Sequence, residues 1–267
     1  MSDEVRTIDT IEAGDGPVVI LVHSSASGAH QWRRLMSDLE DRFRLIAVNL
    51  FGYRRTPAWM ANESQTLADQ AGLIEAALPK RCDKICLVGH SFGGSVAMKL
   101  ASRIGQRVDK LILLEPNPFY LLKQHGRTKA FEEIMGIRNW IKQYGASGEW
   151  MVAAEQFADY WVGAGTWASM PNDRKETFSE ALKPNFYEWD AVMDEVTTLG
   201  EWAESLSSNT LVVSAQNTVR PIREIVDLMR EGCPAWSFEQ IVDGGHMAPL
   251  TRPDLINPIV ASFLDGQ

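Results

Sequence analysis

The sequence predicts an α/β fold: a mostly parallel central sheet flanked by helices, with one helical segment inserted into it. Three observations predict it. Short apolar runs of strand length alternate with stretches of helical periodicity. One of those runs, ICLVG, passes straight into Gly-His-Ser-Phe-Gly and then a helical pattern, the order expected of a parallel strand–helix unit. Between residues 116 and 205 the alternation stops, and no convincing buried strand is found there.

The elements follow in order. Residues 4–12 supply one or two antiparallel edge strands, and PVVILVH (17–23) is a continuous buried-type strand. Trp32, Leu35, Met36 and Leu39 have helical spacing, so a helix covers 29–39. FRLIAVNL (43–50) is the next strand, followed by a Gly-Tyr-Arg-Arg-Thr-Pro loop. A helix over 64–78 opens at Ser64-Gln65-Thr66 and closes at Pro79. KICLVG (84–89) is a strand, SVAMKLASRIG (95–105) a helix stopped by Gly105, and VDKLILLE (108–115) another strand. After the insertion come TLVVSA (210–215), a helix over 220–230, the strand AWSFEQIV (235–242) and a last helix over 253–264. Residues 1–115 and 206–267 therefore form the sheet domain, and 116–205 a helical lid. That lid holds Trp140, Trp150, Trp161, Trp167, Trp189 and Trp202, six of the nine tryptophans, enough to roof an apolar pocket.

Composition narrows the classes. The chain has 267 residues, 45% hydrophobic and 23% charged, with a net charge of −9 and no basic stripe. Phosphate backbones need such a stripe, so nucleic acid is not expected as a partner. No run of 18 apolar residues occurs, so no membrane span is expected. The polar start MSDEVRTIDT lacks the pattern of a signal peptide, and a cytoplasmic protein is expected. Cys82, Cys86 and Cys233 are an odd, small set without further ligands beside them, which reads as packed thiols rather than disulfides or a metal site.

Gly89-His90-Ser91-Phe92-Gly93 fits G-x-S-x-G, in the strand-to-helix context the motif requires. The sharp turn strains the serine and presents its hydroxyl at a helix N-terminus, where amide hydrogens favour negative charge. Ser91 is the candidate nucleophile. His246, in VDGGHMAPL after the last strand, is the candidate base. His23 ends a core strand, His30 begins a helix, His90 sits inside the turn pointing away from the serine, and His125 lies in the insertion. The backbone N–H of Phe92 is the first candidate donor to an oxyanion.

These features together resemble the α/β-hydrolase fold enzymes: His23-Ser24-Ser25 after the first long strand, Gly52-Tyr53 after the next, the serine turn, the helical lid and the terminal Gly-His. The resemblance spans essentially the whole chain. It implies a second oxyanion donor in the amide of Ser25, where the family's loop usually reads His-Gly-x; here Ser24 replaces the glycine.

The family's usual acid follows the strand after the lid. That place reads Ser214-Ala215-Gln216-Asn217-Thr218-Val219-Arg220-Pro221 and holds no carboxylate; Glu224 comes only in the next helix. Some relatives, notably haloalkane dehalogenases, carry the acid at the tip of the strand after the nucleophile helix. There this chain has Glu115. A carboxylate ending an apolar strand needs a partner, and His246 would be one; a salt bridge or helix cap at the lid hinge is the other reading. Asn217 could assist by hydrogen bonding.

With serine as nucleophile the resemblance implies acyl transfer to water, with no metal or organic cofactor. Apolar residues of the lid and its hinges, Trp59, Phe119, Trp140, Trp161, Trp167 and Phe186, with Ser24 and Met247, are the candidate pocket. A small-molecule substrate, first a small hydrophobic ester, is expected. A lactone, a carbon–carbon bond beside a ketone, cofactor-free perhydrolysis or dioxygenation, and a ligand-binding receptor on the same scaffold remain alternatives.

Overall fold

The computed structural model describes residues 7–60 and 63–266. Among the described residues seven strands are formed: β1 (Thr10–Ala13), β2 (Val18–Val22), β3 (Arg44–Val48), β4 (Ile85–His90), β5 (Val108–Leu114), β6 (Thr210–Ala215) and β7 (Ser237–Ile241). They lie in the order β1-β3-β2-β4-β5-β6-β7, and β1 alone among them runs antiparallel to its neighbour. The expected edge segment supplies the single strand β1; its residues 4–6, and the polar start of the chain with them, lie outside the described residues.

Thirteen helices accompany the sheet among the described residues: α1 (Arg33–Leu39), α2 (Leu67–Ala77), α3 (Phe92–Ile104), α4 (Tyr120–Gln124), α5 (Thr128–Ser147), α6 (Trp150–Trp161), α7 (Thr166–Ser169), α8 (Asn172–Leu182), α9 (Asn185–Met193), α10 (Leu199–Ser205), α11 (Arg220–Gly232), α12 (Ala248–Thr251) and α13 (Pro253–Asp265). Helices α4–α10 fall between β5 and β6, the strand-free span of the sequence. Among the described residues no helix is long and apolar enough to cross a membrane.

The continuous apolar strands are explained by helices on both faces. Alternate residues of β2 serve opposite sides: Val18, Ile20 and Val22 pack with α2, α3 and α11, and Val19 and Leu21 with α1 and α13. Full burial of such a side chain stabilises by about 1.5–3 kcal/mol, so truncating the central strands is costly. The edge strand β7 differs: only Ile241 of it is fully buried, and Glu239 and Gln240 face solvent, which discourages strand addition.

Several boundaries differ from expectation for physical reasons. The helix expected from Ser64 starts at Leu67, because Thr66 forms a capping box with Asp69. The segment 29–39 opens with a 3-10 turn over Ala29–Trp32 before α1. Helix α3 starts at Phe92 rather than 95, so Gly93 and Gly94 lie inside its first turn despite their poor propensity. Packing overrides propensity here. A Cβ on Gly93 would sit 2.3 Å from the Val22 carbonyl oxygen and 2.4 Å from that of His23. The parallel register sets His90 of β4 beside Leu114 of β5, so the residues just beyond them, 91 and 115, emerge as neighbours at the same sheet edge.

Candidate active site

The site is built at the carboxyl ends of the parallel strands, where open α/β sheets place their ligands. Ser91 links β4 to α3 with φ 53° and ψ −119°, a conformation a non-glycine residue adopts only at a cost of about 1–3 kcal/mol. Its amide donates to the Leu114 carbonyl at 2.9 Å, and its carbonyl accepts from Gly94 at 2.8 Å. A Cβ at Gly89 would lie 2.3 Å from the Gly93 carbonyl oxygen. The two glycines of the motif are therefore required by contact and not by a positive φ.

Glu115 follows β5, also at positive φ, 49°. Its amide donates to the Val213 carbonyl of β6 at 2.9 Å. Its side chain is buried. Oε1 accepts from the Ala215 amide at 2.6 Å, and Oε2 accepts from the Thr218 hydroxyl and from His246 Nδ1, the latter at 3.2 Å. Ser91 Oγ in turn donates to His246 Nε2 at 2.9 Å. The structure thus brings residues 91, 246 and 115 into one buried, continuous hydrogen-bonded path.

His246 is held from outside its ring as well. Gly244 and Gly245 take φ of 105° and 56° to bring the loop in, and the Gly245 amide donates to Asn217 Oδ1 at 2.9 Å. Asn217 thus supports the loop backbone, not the imidazole. The His246 carbonyl accepts from His90 Nε2 at 2.9 Å, and the ring lies 4.3 Å from that of Trp161. Burial, reinforced by the neighbouring His246, holds His90 neutral, well below the usual histidine range. Its Nδ1 accepts from Gln31 Nε2 at 3.0 Å. Gln31 Oε1 accepts from both the amide and the hydroxyl of Ser24, at 3.0 and 2.8 Å. Ser24, standing where the family has glycine, is thereby accommodated.

The same loop orients Ser25. Burial lowers the pKa of His23 to about 4, so the neutral ring donates through Nδ1 to the Ser24 carbonyl at 2.8 Å and accepts at Nε2 from the Leu50 amide at 3.1 Å. In a trans peptide the C=O and the following N–H point in opposite directions. The Ser25 N–H is therefore turned away from His23. Among the described residues neither the Ser25 nor the Phe92 amide has a backbone acceptor, so both remain available to a ligand.

A cavity over Ser91 is lined by Ser24, Ser25, Phe92, Trp161, Met247 and His246, together with residues the sequence reading did not single out for it: Asn117, Phe157, Asn185, Glu188, Trp189 and Val192. Its free space is about 20 Å³, room for a water molecule. Five expected pocket residues lie elsewhere. Phe119 sits one layer behind, stacked between Trp161 and Trp189 at 6.3 and 6.0 Å. Trp59 packs on Phe51 and donates to the Glu63 carbonyl, lining a separate groove. Trp140 packs on Tyr144 and bonds the Val152 carbonyl, joining α5 to α6. Trp167 is fixed by Asp159 through its amide and lies under Lys175. Phe186 lies against Tyr187 with Lys142 3.9 Å over its ring.

Glu188 is the main addition. This buried carboxyl accepts from Ser25 Oγ at 2.5 Å, Asn185 Nδ2 at 3.0 Å and Tyr53 OH at 2.9 Å. Burial raises its pKa, and the three donors oppose that rise. No sequence signal separates it from other glutamates of a helical stretch. Thr218 could have been found, since it occupies the family's usual acid region.

Comparison with known proteins gives a consistent frame. A family model described as "alpha/beta hydrolase fold" matches residues 17–149. The chain is 26% identical to Lipase LipV of Mycobacterium tuberculosis over 273 residues, 93% of this chain and 94% of the lipase. It is 33% identical to a 2-hydroxy-6-oxo-2,4-heptadienoate hydrolase of Pseudomonas putida over 109 residues, 39% of this chain and 38% of that enzyme. The first curated relatives it matches are covered over only 30% of their length. Among solved structures, an esterase of Exiguobacterium antarcticum superposes with a TM-score of 0.78 at 18% identity, over 97% of this chain and 95% of the esterase. A serine turn leading out of the central strand of a mostly parallel sheet, and a family model matched through that same region, identify the lineage: the chain belongs to the α/β-hydrolase fold superfamily.

Proposed function

We propose that this protein is a serine hydrolase that cleaves a small hydrophobic carboxylic ester through an acyl-enzyme. The observation that carries the reading is the path Ser91 Oγ–His246–Glu115, buried beneath a mostly apolar cavity. Ser91 attacks the ester carbonyl while His246 Nε2 takes its proton. The oxyanion is met by the amides of Phe92 and Ser25, each worth roughly 3 kcal/mol of barrier. His246 returns the proton to the departing alcohol. Water, deprotonated by the same ring, then attacks the acyl-enzyme and releases the acid. Glu115 keeps Nδ1 protonated and stabilises the imidazolium. Residues 116–205 act as the lid that closes over this chemistry.

The lipase and esterase similarities support ester cleavage. The carbon–carbon hydrolase match favours a second reading, in which the same serine attacks a ketone. Ester cleavage is preferred because the full-length relative is a lipase, whereas the hydrolase match covers only 39% of this chain. The test is turnover of p-nitrophenyl acetate and butyrate by the wild type and Ser91→Ala. Turnover that vanishes in the variant supports the reading; turnover that survives it, or its absence from the wild type, contradicts it.

A further inference from the structure

We propose that Glu188 sets the substrate class of this site: it admits uncharged acyl groups and rejects those carrying a carboxylate. The inference rests on the ester-hydrolase reading and goes beyond it. Glu188 is 1% exposed and lines the cavity over Ser91. Its oxygens receive three donors, from Ser25, Asn185 and Tyr53, and no cation. Donors aimed at both oxygens suit a carboxylate. Among the described residues no lysine or arginine lines the cavity. Lys142 and Arg138 of α5 pair with Asp190 of α9. A second negative charge brought into this space would be stripped of water, meet like charge and find no counter-ion.

Three further atoms say what the cavity does want. Asn185 Oδ1, Trp161 Nε1 and Trp189 Nε1 are buried and without partners among the described residues, and all three side chains line the cavity. The two neutral N–H donors match a carbonyl, ether or hydroxyl oxygen of the substrate, and the Asn185 acceptor matches a hydroxyl or N–H hydrogen. The donors alone would also tolerate a carboxylate; Glu188 is what decides against it.

The test uses two alkyl fluorophosphonates of equal length, one ending in a methyl ester and one in a carboxylate. Each forms a bond from Ser91 Oγ to phosphorus, expels fluoride and gives the serine proton to His246. Labelling is followed by mass spectrometry in mildly alkaline buffer, with each rate divided by that probe's spontaneous hydrolysis. The wild type labels faster with the neutral probe by about 30-fold or more. Glu188→Gln, which can keep all three hydrogen bonds, narrows the ratio to about threefold, and Glu188→Asp, which keeps the charge, preserves it. The wild-type ratio stands alone if a variant fails to fold, as judged by its melting transition. Equal labelling of the wild type by both probes overturns the inference, as does an unchanged ratio in folded Glu188→Gln. Absence of labelling at Ser91 by either probe overturns the ester-hydrolase reading and this inference with it.

Discussion

Thr218 donates its hydroxyl to the same Glu115 oxygen that faces His246 Nδ1. Together with the Ala215 amide it anchors a carboxyl that reaches the imidazole from β5 instead of from the loop after β6. Losing a hydrogen bond to a charged group typically costs about 1.5–3 kcal/mol, which is tenfold or more. Thr218→Val removes the donor and keeps the volume. Steady-state kinetics on an aryl ester should show kcat lower by about tenfold with KM little changed. An unchanged kcat would mean that Thr218 has no part in positioning Glu115.

Gly93 and Gly105 make a paired test of the turn. A Cβ at 93 would meet two backbone oxygens that cannot step aside, at 2.3 and 2.4 Å. At Gly105 nothing lies within 4 Å, and only its φ of +52° opposes a side chain. Gly93→Ala should therefore cost about 3 kcal/mol or more of unfolding free energy, and Gly105→Ala about 1 kcal/mol. Urea unfolding of the two variants measures the difference; equal losses would contradict the close approach of α3 to β2.

His23 predicts an acid-sensitive fold. Its pKa falls from 6.5 to about 4 on burial, so between those values the unfolded chain binds a proton that the folded one refuses. The stability is present above pH 6.5 and is lost as the pH drops toward 4. From about pH 7 to about pH 5 His23 alone removes roughly 2 kcal/mol. His90 is shifted in the same direction, while Glu188, shifted upward, works the other way. Urea titrations across that range should show the loss, and His23→Asn should make it shallower by His23's share; an unaltered slope would exclude His23 as the source.

Much of this architecture is legible in the sequence because it follows local rules. The apolar runs locate all six parallel strands, and the serine turn announces itself through glycines that contact alone requires. The contact of Glu115 with His246 is legible because a carboxylate at the tip of an apolar strand needs a partner. The start of α3 was hidden, since Gly93 and Gly94 oppose a helix that tertiary packing nonetheless imposes. The pocket was largely hidden too. Tryptophan-rich helices declare an apolar layer, but which rings face the serine depends on how seven helices pack, and of the six insertion tryptophans only Trp161 and Trp189 line the cavity. Glu188 carried no mark at all, because its meaning comes from Ser25 and Tyr53, which are distant in the chain.

The most direct measurement is fluorophosphonate labelling with peptide mapping on the wild type and Glu115→Gln. The account predicts modification at Ser91, slowed by roughly 10³–10⁴-fold in the variant because the imidazole loses its orienting charge. Modification at another residue, or a Glu115→Gln rate within about threefold of the wild type, would contradict it.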